Sequence, residues 1–152
     1  MAVYDDDLLV TEARGHYFKR SGFDETSYVT NWVRFGIGPL AFYIPNLPAR
    51  KRAAPLHDLH HIATGYDTTW TGEAEVSAWE LASGGCGRHP IAWLFVLSGA
   101  LLGCFISPRR VSRAWKRGTG SRNLFDRELS EEILVQTVGS LRSELRVRQV
   151  EK

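Results

Sequence analysis

The sequence predicts an all-α protein, a single-domain helical bundle of about six helices with a central apolar helix. Three observations carry that expectation. Apolar residues recur at helical spacing through most of the chain outside its loops. No pair of strand-like runs joined by a hairpin turn competes with them. The 152 residues supply one hydrophobic core but not two ordinary ones, so the whole chain reads as one domain. Apolar residues make up 43% and charged residues 24%, near globular averages, which argues against wholesale disorder and against a polytopic membrane protein.

The elements follow in order. Leu8 to Arg20 reads as a first helix with Asp7 as N-cap and Gly22 near its end. Tyr28, Val29, Trp32, Val33 and Phe35 recur at helical spacing, so a second helix is expected from Glu25 to Phe35, capped by Asp24 and stopped by Gly36 and Gly38. Residues 39–55 hold Pro39, Pro45, Pro48 and Pro55 and read as an extended connector. A third helix should start just after Pro55 and reach about Thr64, with Gly65 closing it, and a fourth should span Gly72 to Ser83 before the Gly84-Gly85 pair. Pro90 opens a fifth, Ile91 to Ser107, which contains no charged residue, and Pro108 ends it. After a basic segment and a loop from Gly118 to Asn123, a last helix is expected from about Asp126 to Val147. Its stripe is Leu129, Ile133, Val138, Leu141 and Leu145.

Charge and cysteine content narrow the function classes. The net charge of +2 lacks the basic stripe of a nucleic-acid binder. It hides an asymmetry: residues 1–84 carry 7 Lys/Arg against 11 Asp/Glu, and residues 85–152 carry 12 against 6. A basic second half points to phosphate or anionic lipid. Cys86 and Cys104 have no paired spacing, which argues against a disulfide framework or thiolate cluster and fits a reducing compartment. Acidic Asp5, Asp6 and Asp7 stand where a secretory or mitochondrial signal needs basic residues, so the expected location is cytoplasmic, peripheral on the inner face of a membrane.

The chemistry concentrates between residues 57 and 73. His57 and His61 are four apart, which on a helix puts both imidazoles on one face, close enough to share a cation. Asp58 is adjacent, able to reach the same ion or to orient its ligands. Glu73 follows His61 by twelve positions, and an antiparallel helix pair would return it alongside. Two imidazoles and two carboxylates suit zinc first, and also Mn²⁺, Fe²⁺ or Co²⁺. Glu80, seven residues past Glu73 and on the same face, reads as a general acid, as a group orienting a ligand His, or as an ordinary exposed Glu. His60 reads as a solvent-exposed side chain, with a base behind the ligands as its weaker alternative. The bland reading of the whole cluster is a solvated helix face.

These residues resemble the ubiquinone biosynthesis family of coenzyme Q protein four, whose signature is HDxxH-x11-E. Here it runs His57-Asp58-Leu59-His60-His61, eleven residues, then Glu73. The similarity extends to Gly65, Gly72, Trp79-Glu80, the apolar helix after Gly84-Gly85 and Leu141 to Leu145, covering about residues 53–147. The resemblance implies an all-helical fold, a divalent metal on His57, Asp58, His61 and Glu73, and an apolar channel for a polyprenyl tail. It also implies a membrane-surface role in making the quinone ring, as organiser of a biosynthetic complex or as catalyst of oxidative decarboxylation at ring carbon 1. Tail-lining residues would then be Trp79, Trp93, Gly99 and Gly103. The expected partners are a polyprenyl lipid or quinone precursor, other quinone-biosynthesis proteins, an anionic membrane surface and, as an open option, a second copy of the chain; nucleic acid is not among them.

Two further features and three rivals complete the reading. Ile91 to Ser107 is at the lower limit of a bilayer span, and a helix apolar all round in a one-core protein is more often the buried one. The following Arg109, Arg110, Arg113, Lys116 and Arg117 around Trp115 suit either anionic headgroups or plain solvation. His57, His60 and His61 also spell the HxxHH of di-iron hydroxylases, but His16 and His89 belong to no further box. His57-Asp58 is an HD dyad, as in metal-dependent phosphohydrolases, for which only His16 and Asp126 stand as nominal partners. The third rival is a non-catalytic scaffold that holds a prenyl lipid. No nucleotide, haem or flavin signature is visible.

Overall fold

The computed structural model describes residues 4–22, 25–37 and 40–147, with only the backbone for residues 34–37, 40–42 and 44. The fold is mostly helical, as expected. Eight helices are found among the described residues: α1 (Val10–Ser21), α2 (Thr26–Val29), α3 (Pro48–Thr64), α4 (Trp70–Ala82), α5 (Pro90–Ile106), α6 (Pro108–Gly118), α7 (Glu131–Val135) and α8 (Val138–Glu144). One antiparallel hairpin, β1 (Trp32–Ile37) with β2 (Leu40–Pro45), stands between α2 and α3.

That hairpin corrects the expected second helix, which shrinks to α2. The register pairs Trp32 with Pro45 and Ile37 with Leu40. Aromatic and β-branched residues are dense on both sides of Gly38-Pro39, and such residues favour a pleated ribbon over a helix. Gly38, Pro39 and the expected cap Asp24 lie outside the described residues. The connector over residues 39–55 is likewise replaced by β2 and the first turns of α3. Pro48 takes the first helical position, where its missing N–H is no loss, and the helix continues through Pro55, whose ring is buried. At the first helix, Leu9 rather than Asp7 occupies the capping position, and its N–H is satisfied by the Glu12 carboxylate.

The charge-free helix is not central. α5 turns only small residues and a valine inward, Ala92, Val96, Ala100 and Gly103, and exposes most of its large side chains. The central place belongs to α4, whose residues from Ala74 to Glu80 are all buried. A Cβ on Gly99 would stand 2.6 Å from Ser77 Oγ, and one on Gly103 would stand 2.5 Å from Ala74 Cβ, so glycine lets α5 lie directly on α4. Among the described residues no helix is long and apolar enough to cross a membrane.

The expected last helix is two pieces. Gln136 accepts the Val10 N–H through its carbonyl (2.9 Å), and Val138 donates to the Leu8 carbonyl (2.8 Å), so the break serves a short bridge to the start of α1. Thr137 then caps α8 by accepting from Ser140 N at 3.1 Å. Ile133, Val138, Leu141 and Leu145 are buried as the stripe required, and Leu129 is exposed. The buried Arg142 ties α8 to its neighbours by donating to the carbonyls of Ala63 (3.0 Å) and Tyr4 (2.9 Å) and to the Asp6 carboxylate (2.6 Å). This frame holds the end of α3 still, and the site lies there.

Candidate metal centre

The site is built on α3, α4 and the short turn between them. α3 ends on Gly65, whose φ of 77° is the left-handed conformation that favours glycine. The chain then doubles back. Asp67 accepts from Thr69 N (3.1 Å) and from the Thr69 hydroxyl, and Thr69 in turn caps α4 by accepting from Gly72 N at 3.2 Å. A Cβ on Gly72 would sit 2.0 Å from the Asp67 carbonyl oxygen, so only glycine allows this closure. The result places Glu73 in the first turn of α4, where the helix dipole favours a carboxylate, facing the middle of α3.

Three donors converge there. His57 Nε2 and His61 Nε2 are 3.2 Å apart; Glu73 Oε2 is 3.3 Å from the first, and Glu73 Oε1 is 3.4 Å from the second. One ligand atom from each of the three residues lies within 4.8 Å of the others, a spacing that one cation can bridge.

The surrounding hydrogen bonds decide where the imidazole protons sit. His61 Nδ1 is 3.0 Å from the Tyr66 carbonyl, which can only accept, so Nδ1 carries the hydrogen and Nε2 presents a lone pair. His57 Nδ1 donates in the same way to Glu80 Oε1 at 2.7 Å. His60 Nε2 accepts from Leu124 N at 2.9 Å, so its Nδ1 donates to that same Glu80 oxygen at 2.6 Å. Glu80 thereby orients two histidines, and the Nε2 atoms of His57 and His61 face one another across 3.2 Å. Two imidazole nitrogens and a carboxylate at these distances call for a positive charge between them, either a proton on His57 or a bound cation. The donor set therefore fits a divalent ion, with the backing typical of metal-bound histidine.

The electrostatics agree. Burial resists charge on His57, but the Glu80 carboxylate, joined by Glu73, more than offsets it and raises the pKa well above the ordinary value. Without a metal, a proton on His57 supplies the missing positive charge. Burial favours neutral Glu80, yet the His57 and His60 donors outweigh it and bring the carboxyl down to about 2. Burial acts on Glu73 in the same direction, and His61 and His57 pull it far below the usual carboxylate range. His60 is lowered by burial, in keeping with its role as a neutral acceptor of Leu124 N–H.

The other expected site residues fall elsewhere. Asp58 is outside the donor group: Tyr17 hydroxyl donates to its Oδ1 at 2.9 Å and Tyr28 hydroxyl to its Oδ2. Burial foremost, and then the Asp58 charge, raise both phenols, which therefore stay protonated as donors. His60 is fully buried, not exposed as its position suggested. Trp79 is fully buried with its ring against His60, and Trp93 packs over Gly85 and donates to the Gly87 carbonyl at 3.1 Å. With Gly99 and Gly103 given to the α4 contact, all four residues expected to line a lipid channel pack against protein instead. Arg110 pairs with Glu75 at 2.6 Å, and Arg117 donates to the Thr64 carbonyl at 2.7 Å and stacks on Tyr66. Arg109, Arg113, Trp115 and Lys116 are exposed. His16 and Asp126, nominal partners of an HD dyad, are exposed and outside the donor group.

Sequence reasoning missed Tyr17, Tyr28 and the Tyr66 carbonyl. The tyrosines lie on α1 and α2, far from the motif in the chain, and no local spacing points to them. The Tyr66 carbonyl was within reach of inference, because it belongs to the residue just after the Gly65 that ends α3.

Compared with family models, with curated proteins and with solved structures, the chain matches none.

Proposed function

We propose that this protein is a divalent-metal enzyme, with zinc as its ion, that removes the ring carboxylate of a polyprenylated hydroxybenzoate. In the oxidative form the carboxyl group leaves as CO₂, water supplies the hydroxyl oxygen that replaces it at ring carbon 1, and dioxygen takes the electron pair to become hydrogen peroxide. The observation that carries this reading is the convergence of His57, His61 and Glu73, with one ligand atom from each within 4.8 Å of the others. When bound, the ion would supply a Lewis acid that polarises the ring substituents and stabilises charge as the carboxylate departs.

The donor count favours a reactive site over a structural clamp. A structural zinc is closed by four protein ligands, whereas catalytic sites pair three with an open position. Here three residues converge; the His61 side chain is 1% exposed, but His57 is 26% and Glu73 39% exposed, so the centre has an open edge. Glu80 and the Tyr66 carbonyl orient the ligands from behind. The HDxxH-x11-E spacing, in which this chain resembles the ubiquinone family, adds the substrate class to this reading.

A second reading is a scaffold that holds the prenylated ring unchanged. It is favoured by one observation: the two phenols beside the site, Tyr17 and Tyr28, are both committed to Asp58. A phosphohydrolase is disfavoured for a related reason, since both oxygens of its would-be ligand Asp58 are already taken. The test is to incubate the zinc-loaded protein with a polyprenyl hydroxybenzoate carrying ¹³C in the ring carboxyl. Labelled CO₂ that disappears in His61→Ala supports the enzyme. Bound lipid of unchanged mass selects the scaffold, and a protein that takes up no divalent metal removes both.

A further inference from the structure

We propose that α5 and α6 together form an in-plane docking face for an anionic lipid bilayer. The proposal is independent of the metal centre. α5 is 17 residues and about 25 Å long, with no charged residue in it. One side lies flat on α4. The other presents Leu94, Leu97, Leu101 and Phe105 along successive turns, at 63%, 51%, 64% and 79% exposure. Single exposed apolar residues are ordinary, but a row of them along about three turns is not, because proteins that stay in water rarely leave such a stripe uncovered.

The charge arrangement identifies what covers it. At the C-terminal end α5 passes through Ser107 into α6, where Arg109, Arg113 and Lys116 are exposed beside the half-exposed ring of Trp115, and no salt bridge to them is found among the described residues. At the N-terminal end Arg88 is exposed just before α5. The C-terminal end of the apolar row is therefore strongly basic, while at the N-terminal end Arg88 stands near the exposed Asp126 carboxylate, which lies against Gly87. A parallel second copy would set the two clusters of Arg109, Arg113 and Lys116 against each other, and an antiparallel one would offer each cluster a single nearby carboxylate against three cations. A bilayer with anionic headgroups meets both requirements at once, taking the leucines and Phe105 into its acyl boundary and the arginines and Lys116 at its headgroups, with Trp115 at the depth tryptophan prefers. Because α5 is packed on α4 along its length through Gly99 and Gly103, it lies on the membrane and does not insert across it.

The experiment is flotation of the full chain with vesicles of phosphatidylcholine alone and of an equimolar phosphatidylcholine–phosphatidylglycerol mixture, with light scattering for the mass of the free protein. The expected result is binding to the anionic vesicles that weakens with salt and is far weaker on phosphatidylcholine. R109Q/R113Q should lower the partition coefficient about 30-fold, near fivefold per basic residue removed from an anionic surface. L101Q/F105Q should abolish binding. All four positions are exposed, and circular dichroism of each variant checks that it folds. Failure to bind anionic vesicles, binding indifferent to both pairs of substitutions, or a stable dimer in solution that L101Q/F105Q dissociates would each overturn the proposal. Zinc content, measured on the same samples, is expected to be unchanged by these variants.

Discussion

Replacing Glu80 by Gln tests how the site is aimed. One carboxylate oxygen takes the Nδ1 hydrogens of His57 and His60, at 2.7 and 2.6 Å, while the other oxygen is buried with no hydrogen-bond partner among the described residues. Gln is nearly isosteric, and its carbonyl oxygen can occupy the shared acceptor position. Two things change. The bond to His57 becomes neutral, and a charged acceptor is worth about 1–1.5 kcal/mol more than a neutral one. That corresponds to roughly a tenfold loss of metal affinity, the lower end of the 10- to 100-fold range for loss of such a partner. The new amide also sits in the buried, unpartnered position, at a cost of about 1–3 kcal/mol in stability. Glu80→Leu is expected to be worse, because two buried N–H groups then lose their acceptor, roughly 2–6 kcal/mol against a total stability of about 5–15 kcal/mol. Zinc titration against a chromophoric chelator, with thermal melts in and out of metal, reads both effects. A folded Glu80→Gln protein that binds zinc as tightly as the parent would refute the claim that Glu80 aims His57.

Three other expectations follow from the same geometry. Asp58→Asn should change zinc affinity less than threefold, a small effect set by its distance from the donor group, and should instead loosen the packing of Tyr17 and Tyr28; a loss of a hundredfold or more would make Asp58 a ligand, as the ubiquinone-family resemblance implies. The raised pKa of His57 sets the pH response of the metal-free protein: its stabilising contribution is complete below the unfolded value near 6.5 and is lost as pH rises through the folded value, so the EDTA-treated melting temperature should fall in mildly alkaline buffer. Zinc displaces that proton, so the zinc-induced rise in melting temperature should grow over the same interval; calorimetry finding the two trends reversed would contradict the assignment. Gly72→Ala drives a methyl into the Asp67 carbonyl and should cost about 1–3 kcal/mol of stability together with zinc affinity, since Glu73 is the next residue.

The part of the site written in local spacing was legible in the sequence. The helical period alone places His57 and His61 on one face, and the glycines at 65 and 72 mark the turn that returns Glu73 to them. What decides the state of those histidines was not legible, because it depends on contacts distant in the chain. Leu124 N–H fixes the tautomer of His60, and α1 and α2 supply the phenols that occupy Asp58. Burial misled in both directions. His60 looked like a surface residue and is enclosed, whereas α5, apolar all round, looked like the core and lies at the surface. Hydrophobicity states that a helix must be covered, but not by what. The hairpin was missed for a different reason: Trp32, Val33 and Phe35 satisfy a short helical pattern and a strand equally, and prolines in a sequence fit an edge strand, such as Pro45 at the end of β2, as well as a connector.

The central claim is that His57, His61 and Glu73 hold one ion and leave part of its coordination open. X-ray absorption at the zinc edge of the loaded protein tests it most directly. Two imidazole nitrogens at about 2.0–2.1 Å, carboxylate oxygen at about 2.0–2.2 Å and a further light atom from solvent are expected around the ion. Sulfur in the first coordination sphere, a single imidazole, or a spectrum unchanged by His61→Ala would contradict it.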